Sequence, residues 1–340
     1  MQSNFLRSNN MTSQELEAYD VFCHTISEYR DTIDITHISK NVDIRKIFKA
    51  VLDNNPQFFF FNKSFMGKET SSAKRLIKLS DFISKSDAIK MQNEITSVVT
   101  PLISVAKAKG KAPYEQLISA YQQMQKHILY DTTELEAFSS GKKASNRNTY
   151  NIYGALVQRK AVCEGYASAF QYVVQSMGYK CAVVSGTSRH QHYGILPHAW
   201  NLIEIGRNFY HVDLTWDSNQ YAESRDYSYD WFLVGEEDIL LDHEWDLSQT
   251  PPATDTSLSY YRRNGLFAES EEQLKSIFNK AAKKPKEPIR VRCSENVFRS
   301  KSMGEYMAKL FLDIAVQYHS KIDIQYSWNN QTGSFYAKIE

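Results

Sequence analysis

Three residues of the sequence, Cys163, His198 and Asp213, have the types and the order that nucleophilic acyl chemistry requires. Cys163 precedes a run whose apolar residues recur at helical spacing as far as Gly178, so we predict that the cysteine begins a helix. Unpaired N–H groups at a helix start stabilise a thiolate. A nucleophilic thiolate also needs a base that shares its proton and a carboxylate that orients that base. The histidine and the aspartate are the candidates for these two roles.

The elements that must position the histidine and the aspartate are predicted strands. Three segments have strand patterns, at 181–188, 198–205 and 208–217. The last two are separated by little more than a Gly-Arg pair, which predicts a two-residue hairpin turn. In that register His198 and Asp213 are diagonal neighbours on one face, with Cβ atoms about 7 Å apart. A slip of one residue would place them on opposite faces.

Each of these residues also has a purely structural interpretation. A cysteine on a mixed helix is more often a core residue than a nucleophile, and we interpret Cys181, which opens an apolar strand, in that way. His211 has the same parity as Asp213 and competes with His198 for the role of base. The aspartate could serve only as a cap or turn former. The three signals are weak one by one, and their order and spacing together favour catalysis.

The composition excludes several function classes. Lys plus Arg number 40 and Asp plus Glu number 39, so no net charge draws the chain to nucleic acid. No apolar run reaches the roughly 18 residues of a membrane helix, so we expect no membrane insertion. The four cysteines are scattered and form no C-x-x-C pair, which argues against a zinc site. We therefore expect no metal and no cofactor.

The chain of 340 residues is long enough for two or three compact units. We predict an N-terminal mainly helical region (1–110), a catalytic core (111–250), a linker with a short helix (251–288) and a C-terminal strand-helix-strand-strand unit (289–340). Periodicity predicts helices at 13–30, 42–53, 81–108, 113–130, 270–283 and 303–319. The aromatic run 58–61 is predicted as a strand, and the polar stretch 139–150 as a surface loop.

The stretch GALVQRKAVCEGYASAF (154–170), with LPHAWNLIEI and NFYHVDLTWD behind it, resembles the catalytic core of the transglutaminase-like superfamily, particularly its bacterial members. That family places a cysteine at a helix start, a histidine in an H-x-W strand and an aspartate in an H-V-D strand. These positions match Cys163, His198 and Asp213, which are separated by 35 and 15 residues. The resemblance covers about residues 120–235.

The resemblance implies an α+β fold with a papain-like transglutaminase core, in which the cysteine begins a helix that packs on an antiparallel sheet. It implies that Cys163 attacks an amide, His198 transfers the proton and Asp213 holds the imidazole. In the family a second oxyanion donor comes from a side chain upstream of the cysteine, for which Tyr153 is the first candidate and Tyr150 the second. Trp200 is a candidate to shield the thioester from water, with core packing as its alternative role.

The implied reaction is acyl transfer or hydrolysis on protein or peptide amides through a thioester. The acyl donor is a glutamine side chain, and the acceptor is a lysine amine or water. The alternatives are a cysteine peptidase and a non-catalytic cell-surface interaction module on the same fold. By the same resemblance we expect an exported or surface-attached protein whose leader is absent from this sequence, with a cytoplasmic location as the alternative.

Overall fold

A computed structural model describes residues 11–69, 74–142, 146–190, 194–224, 226–284, 287–298, 303–319 and 322–339. The polar N-terminal stretch 1–10 and residues 143–145 of the predicted loop lie outside the described residues. Among the helices that the structure describes, none has both the length and the apolar character needed to cross a bilayer.

The N-terminal part combines helices with a small sheet. Its elements are α1 (Ser13–Ser27), β1 (Thr32–Asp34), α2 (Ile44–Asn54), β2 (Asn62–Glu69), β3 (Arg75–Ser80) and α3 (Lys85–Lys107). The strands pair antiparallel in the order β1-β3-β2. The helix α1 begins behind a capping box in which Thr12 and Glu15 each bond the backbone of the other. The three helices predicted in this part are confirmed, with boundaries that differ by a few residues.

The prediction of a strand at 58–61 is wrong. The four phenylalanines lie between α2 and β2 without forming a strand, and each is at most 7% exposed. A strand would send alternate side chains to opposite faces. Here all four rings are buried, and neighbouring rings pack at centroid distances of 5.8 and 5.9 Å along the chain. Aromatic packing, and not sheet pairing, therefore fixes this segment.

The central part contains the helix and the sheet that were predicted to hold the candidate residues. Its elements are α4 (Pro113–His127), β4 (Leu129–Tyr130), α5 (Thr132–Ser139), β5 (Lys160–Ala161), α6 (Cys163–Met177), β6 (Lys180–His190), β7 (Gly194–Ile205), β8 (Asn208–Val212), α7 (Leu214–Ser224), α8 (Glu236–Ile239) and β9 (His243–Glu244). The sheet has the antiparallel order β8-β7-β6-β9. The helix α6 ends at Gly178, which has the predicted left-handed conformation with φ +105°.

The predicted hairpin register between β7 and β8 is confirmed. Ile205 pairs with Asn208 across the turn, and Asn201 pairs with Val212. The predicted extent of the last strand is wrong, because β8 ends at Val212 and α7 begins at Leu214. The sequence LTWD continues the alternation of the strand, so local pattern alone did not show the change to a helix.

The predicted loop 139–150 is only partly correct. Residues Arg147–Tyr150 form a 3₁₀ turn, in which Thr149 is fully buried. The turn packs closely on the start of α6, where a Cβ on Gly165 would lie 2.4 Å from the Thr149 carbonyl oxygen. Glycine is therefore required at this position for the turn to reach the helix.

The C-terminal part has its own sheet and core. Its elements are α9 (Tyr260–Arg263), β10 (Phe267–Ala268), α10 (Glu271–Ala282), β11 (Ile289–Cys293), α11 (Glu295–Phe298), α12 (Met303–Ala315), β12 (Ile324–Asn329) and β13 (Ser334–Ile339). The predicted strand-helix-strand-strand succession is present, and the sheet has the order β10-β11-β13-β12. Residues of α10 and α12 share one hydrophobic cluster with this sheet. A separate cluster runs from Ala18 to Leu233 and joins the N-terminal helices to α6. The predicted domain boundaries stay a prediction.

Candidate active site

Cys163 is the first residue of α6, as the sequence predicted. The preceding residue, Val162, has extended backbone, and its side chain offers no acceptor to the first N–H groups of the helix. The thiol is half-buried and lies in the wall of a cavity. The position thus combines access for a substrate with the partial positive charge of a helix start.

His198 and Asp213 meet across the sheet, as the register predicted. The His198 Nε2–H donates to Oδ2 of Asp213 over 2.7 Å. The side chain of His198 is 8% exposed and that of Asp213 is 1% exposed, so the contact is shielded from water. Since Nε2 is engaged by the carboxylate, Nδ1 is the nitrogen that remains for the thiol of Cys163.

Asp213 occupies the junction between β8 and α7 and binds in both directions. Its Oδ1 accepts the backbone N–H groups of Thr215 and Trp216, at 2.8 and 3.3 Å, which caps α7. Its Oδ2 accepts from two imidazoles, those of His198 and His243, at 2.7 and 3.0 Å. The cap that the sequence allowed as an alternative role is therefore present together with the contact to the histidine.

These contacts set the charges of the pair. Burial alone would raise the pKa of Asp213, but the positive charge and hydrogen bond of His198, with the bond from His243, hold it well below its usual range. Burial alone would lower the pKa of His198. The charge of Asp213 and its hydrogen bond, followed by a hydrogen bond with Cys163 and the charge of its thiolate, raise it to about 10. The protonated form of the imidazole is thus favoured, between the side chain of Cys163 and the carboxylate of Asp213.

The cavity beside Cys163 has a volume of about 870 Å³. Its walls come from α2, α5, α6, β6, β7 and α7, so the N-terminal part of the chain contributes to it. Apolar side chains from several of these elements line it: Phe48, Leu52, Leu135, Phe138, Leu196 and Trp216. A cavity of this size and character can hold several side chains of a peptide substrate.

The structure separates the tyrosine candidates for the oxyanion donor. Tyr153 does not line the cavity among the described residues; its hydroxyl donates to Glu94 over 2.6 Å, and its ring stacks on Phe59. Tyr150, the second candidate, lines the cavity together with Tyr130, which the sequence did not suggest. Burial raises the pKa of both cavity tyrosines; nearby negative charge raises it further, first that of Cys163 for Tyr130 and first those of Glu134 and Glu164 for Tyr150. Both are therefore neutral hydroxyl donors.

Trp200 has the core-packing role and does not line the cavity among the described residues. It is fully buried behind His198, with ring centroids 6.1 Å apart, and packs against Trp231 and Val234. The tryptophan in the cavity wall is Trp216, whose ring lies 6.0 Å from that of His198. Trp200 shares a face with His198, but the rings of His243 and Trp245 pack against Trp200, at centroid distances of 4.8 and 5.4 Å.

His211, the competing candidate for the base, lies in the core. Its Nδ1 accepts the indole N–H of Trp200 over 3.0 Å, and its ring packs on that of Trp245. Burial, and then the charge of His243, lower its pKa to about 3, so it is neutral near pH 7. The geometry places His198, and not His211, between the thiol and the carboxylate.

His243 is another residue of the site that the sequence did not suggest. It lies in β9, which pairs with β6 over a separation of more than fifty residues. Asp242 and His243 are both buried. No local pattern marks this histidine, because only long-range strand pairing brings it to Asp213.

His198, Asp213 and His243 form a group whose ligand-type atoms all lie within 4.8 Å of one another. Both Nε2 atoms are at hydrogen-bond distance from the same carboxylate oxygen. This geometry is that of two N–H donors on one acceptor.

Comparisons with known proteins agree with the resemblance in the sequence. A model of the transglutaminase-like superfamily matches residues 103–214. Kyphoscoliosis peptidase of Mus musculus is 26% identical over 141 residues, which cover 39% of this chain and 20% of that protein. The Homo sapiens protein of the same name is 25% identical over 141 residues, with the same coverage. The chain thus spans about a fifth of the length of these relatives.

Two solved structures are also similar. One, described as a TGase, has a TM-score of 0.34 and 14% identity and covers 52% of this chain and 48% of its own. The other, a protein of Cytophaga hutchinsonii described as a cysteine protease, has a TM-score of 0.28 and 11% identity and covers 45% and 61%.

The match to the superfamily model covers the candidate site. The matched span contains Cys163 and His198 and ends one residue after Asp213. It also contains the helix α6 and the strands on which that helix packs. The fold of this superfamily typically carries cysteine hydrolases or acyltransferases. Residues 103–214 of this chain therefore match the model of the transglutaminase-like superfamily, and the fold is of the predicted α+β class.

Proposed function

We propose that this chain is a cysteine enzyme that transfers or hydrolyses the acyl groups of protein or peptide amides, with a glutamine carboxamide as acyl donor. The observation that carries the proposal is that Cys163 and His198 line one cavity and that the imidazole of His198 is bonded to the carboxylate of Asp213 over 2.7 Å. A thiol, a base and a group that orients the base are the parts that covalent acyl chemistry needs.

In the proposed reaction the Cys163 thiolate attacks the carboxamide carbon and forms a carbon–sulfur bond. The backbone N–H of Cys163 donates to the oxyanion, and the hydroxyls of Tyr150 and Tyr130 are the candidates for a second donor. His198 gives its proton to the departing nitrogen, the carbon–nitrogen bond breaks, and ammonia leaves. Water or a lysine amine then attacks the thioester, and His198 takes up its proton as the thiolate is released.

A cysteine peptidase is the second candidate. Its support is the name of the relatives, kyphoscoliosis peptidase, together with the same three side chains. A peptidase differs only in the bond that reaches Cys163, since a backbone amide replaces the glutamine carboxamide and the leaving group is an amine. Incubation with glutamine-containing peptides distinguishes the candidates by mass. Deamidation adds about 1 Da, amine transfer adds the mass of the amine less that of ammonia, and proteolysis gives fragments.

The experiment that tests catalysis is alkylation of each cysteine from pH 4 to 10, followed by peptide mass spectrometry. Cys163→Ala and Cys181→Ala are a matched pair. Burial raises the pKa of the Cys181 thiol, so Cys181 should react slowly. We expect fast labelling at Cys163 alone, persisting well below pH 8 and slowed in His198→Ala.

The variant Cys163→Ala should lose all activity on amides and keep its melting temperature within a few degrees, because the residue lies at a helix end and is half-buried. The non-catalytic interaction module is the competing hypothesis. Labelling of Cys163 no faster than that of Cys23 or Cys181 would favour it over the enzyme. The exported location stays a prediction, to be checked by fractionation of the source cells.

A further inference from the structure

We propose that His243 is a positioning residue that holds the same carboxylate oxygen of Asp213 as His198, so that the candidate triad is extended by a second buried imidazole. This inference rests on the proposed function. Two imidazole N–H groups, those of His198 and His243, donate to one carboxylate oxygen of Asp213.

The contact to Asp213 is direct. The Nε2–H of His243 donates to Oδ2 over 3.0 Å, beside the bond from His198 at 2.7 Å. The two rings lie 5.3 Å apart at an angle of 56°, so each approaches the oxygen from its own direction. The other oxygen, Oδ1, caps α7. The carboxylate of Asp213 is therefore bound on all sides and cannot rotate away from His198 without losing bonds.

The surroundings of His243 keep its ring in this orientation. The backbone of His243 pairs with Ser188 of β6, and its side chain is fully buried. The ring packs edge-to-face against the rings of Trp200 and Trp231, at centroid distances of 4.8 and 5.0 Å. On its far side, Nδ1 contacts a carboxylate oxygen of Asp242.

The charges around His243 favour its protonated form. The groups that face it are the carboxylates of Asp213 and Asp242, the imidazole of His198, whose pKa is raised, and the neutral imidazole of His211. Burial lowers the pKa of His243, but the hydrogen bonds and charges of the two aspartates outweigh it, so that the pKa is raised. A positive charge of His243 at the same oxygen of Asp213 weakens the hold of this carboxylate on the proton of His198. His243 thus both orients Asp213 and limits how strongly His198 binds its proton.

Three variants separate these two effects. His243→Gln keeps an N–H donor near the position of Nε2 and removes the charge. His243→Leu removes both donor and charge. His211→Leu is the matched control, because His211 is equally buried and packs on the same tryptophan, Trp200.

The main readout is the rate of alkylation of Cys163 by iodoacetate against pH. This anionic reagent is attracted by the imidazolium of His198, so the rate falls when His198 loses its proton. We expect His243→Leu to lower the maximal rate about 10- to 100-fold, as for a lost hydrogen bond to a charged group. In His243→Gln the maximal rate should stay within about threefold, and the alkaline fall should move to higher pH. His211→Leu should leave the pH of that fall in place.

A second readout does not depend on reactivity. Low-field proton NMR of the whole chain should show slowly exchanging imidazole N–H signals from His198 and His243, and each signal should vanish in the variant of that residue. If His243→Leu fails to fold, this measurement and the alkylation profile of His243→Gln still test whether His243 positions Asp213.

Two results would overturn the inference. If Cys163 is selectively labelled in the natural protein and both His243 variants give the same pH profile, the proposed function stands and the role of His243 is wrong. If Cys163 is not selectively labelled at all, the proposed function fails and this role fails with it, even where the NMR signals show that His243 binds Asp213.

Discussion

Asp213 and Asp217 stand at the two ends of the first turn of α7, and both are fully buried, yet their pKa values move in opposite directions. Asp213 faces two imidazoles, which can carry positive charge, and its pKa is lowered. Asp217 accepts hydroxyl groups of Tyr121 and Ser228, each at 2.6 Å. Burial, and then the charge of Asp230, raise its pKa to about 8.

The difference teaches that hydrogen bonds alone do not keep a buried carboxyl group ionised. Asp217 also accepts the backbone N–H groups of Asp230 and Trp231, both at 3.1 Å, so it has as many donors as Asp213. Its donors are neutral and its nearest charge is negative. The charge of the neighbouring groups therefore determines whether the pKa of a buried carboxyl group is lowered, as for Asp213, or raised, as for Asp217.

The largest expected effect is on the rate. Asp213→Asn keeps the size of the side chain but removes the charge that holds His198 protonated, and it disturbs the orientation of the ring. We expect a loss of about 10⁴-fold in kcat/KM on an amide substrate. Asp217→Asn is the matched control and should lose less than about tenfold. Equal losses in the two variants would mean that packing around α7, and not the charge of Asp213, supports the activity.

The next effect is on stability at alkaline pH. The pKa of His198 rises from about 6.5 in the unfolded chain to about 10 in the folded one. The folded state therefore binds this proton more tightly, and the stabilisation is complete below pH 6.5 and lost as the pH rises through 10. Urea unfolding between pH 6 and 10 should show the loss. His198→Gln should flatten this part of the curve, and an unchanged slope would contradict the charged pair.

The same measurement in Asp217→Asn tests the carboxyl group at the other end of the first turn of α7. The folded pKa of Asp217, about 8, lies above its unfolded value near 4, so its proton stabilises the folded state below pH 4 and this stabilisation is lost as the pH rises to 8. The variant should remove a slope on the order of 1 kcal/mol per pH unit between these values. Asp213→Asn should not remove it, because the stabilisation by Asp213 is lost in the opposite direction, as the pH falls below 4.

The smallest expected effect is that of Tyr121→Phe. The Tyr121 hydroxyl donates to Asp217 over 2.6 Å and lies 3.0 Å from the backbone carbonyl oxygen of Asp213. Its removal should lower the free energy of unfolding by about 1 to 2 kcal/mol and leave the alkylation profile of Cys163 in place. A shifted profile would show that Asp217 and Asp213 are coupled more tightly than the charges of their partners suggest.

The sequence predicted those parts of the site that depend on short-range signals. The start of α6 at Cys163 followed from helical periodicity and from Gly178, and the hairpin register followed from the two-residue turn before Asn208. The predictions from the sequence were wrong or incomplete where contacts between distant parts of the chain determine the structure. The change from β8 to α7 follows from a carboxylate that serves both elements, Tyr153 is drawn away by Glu94, and His243 arrives through pairing between β9 and β6.

Because Asp213 both caps α7 and accepts a hydrogen bond from His198, its replacement would reduce the stability of the fold as well as the reactivity of the site. Cys163 has no such second task, since it ends no strand and caps no helix. Inactivation during evolution should therefore follow an ordered route. In a lineage that abandons catalysis, we expect the cysteine to be replaced first and the aspartate to persist, so that the aspartate remains in descendants that no longer react.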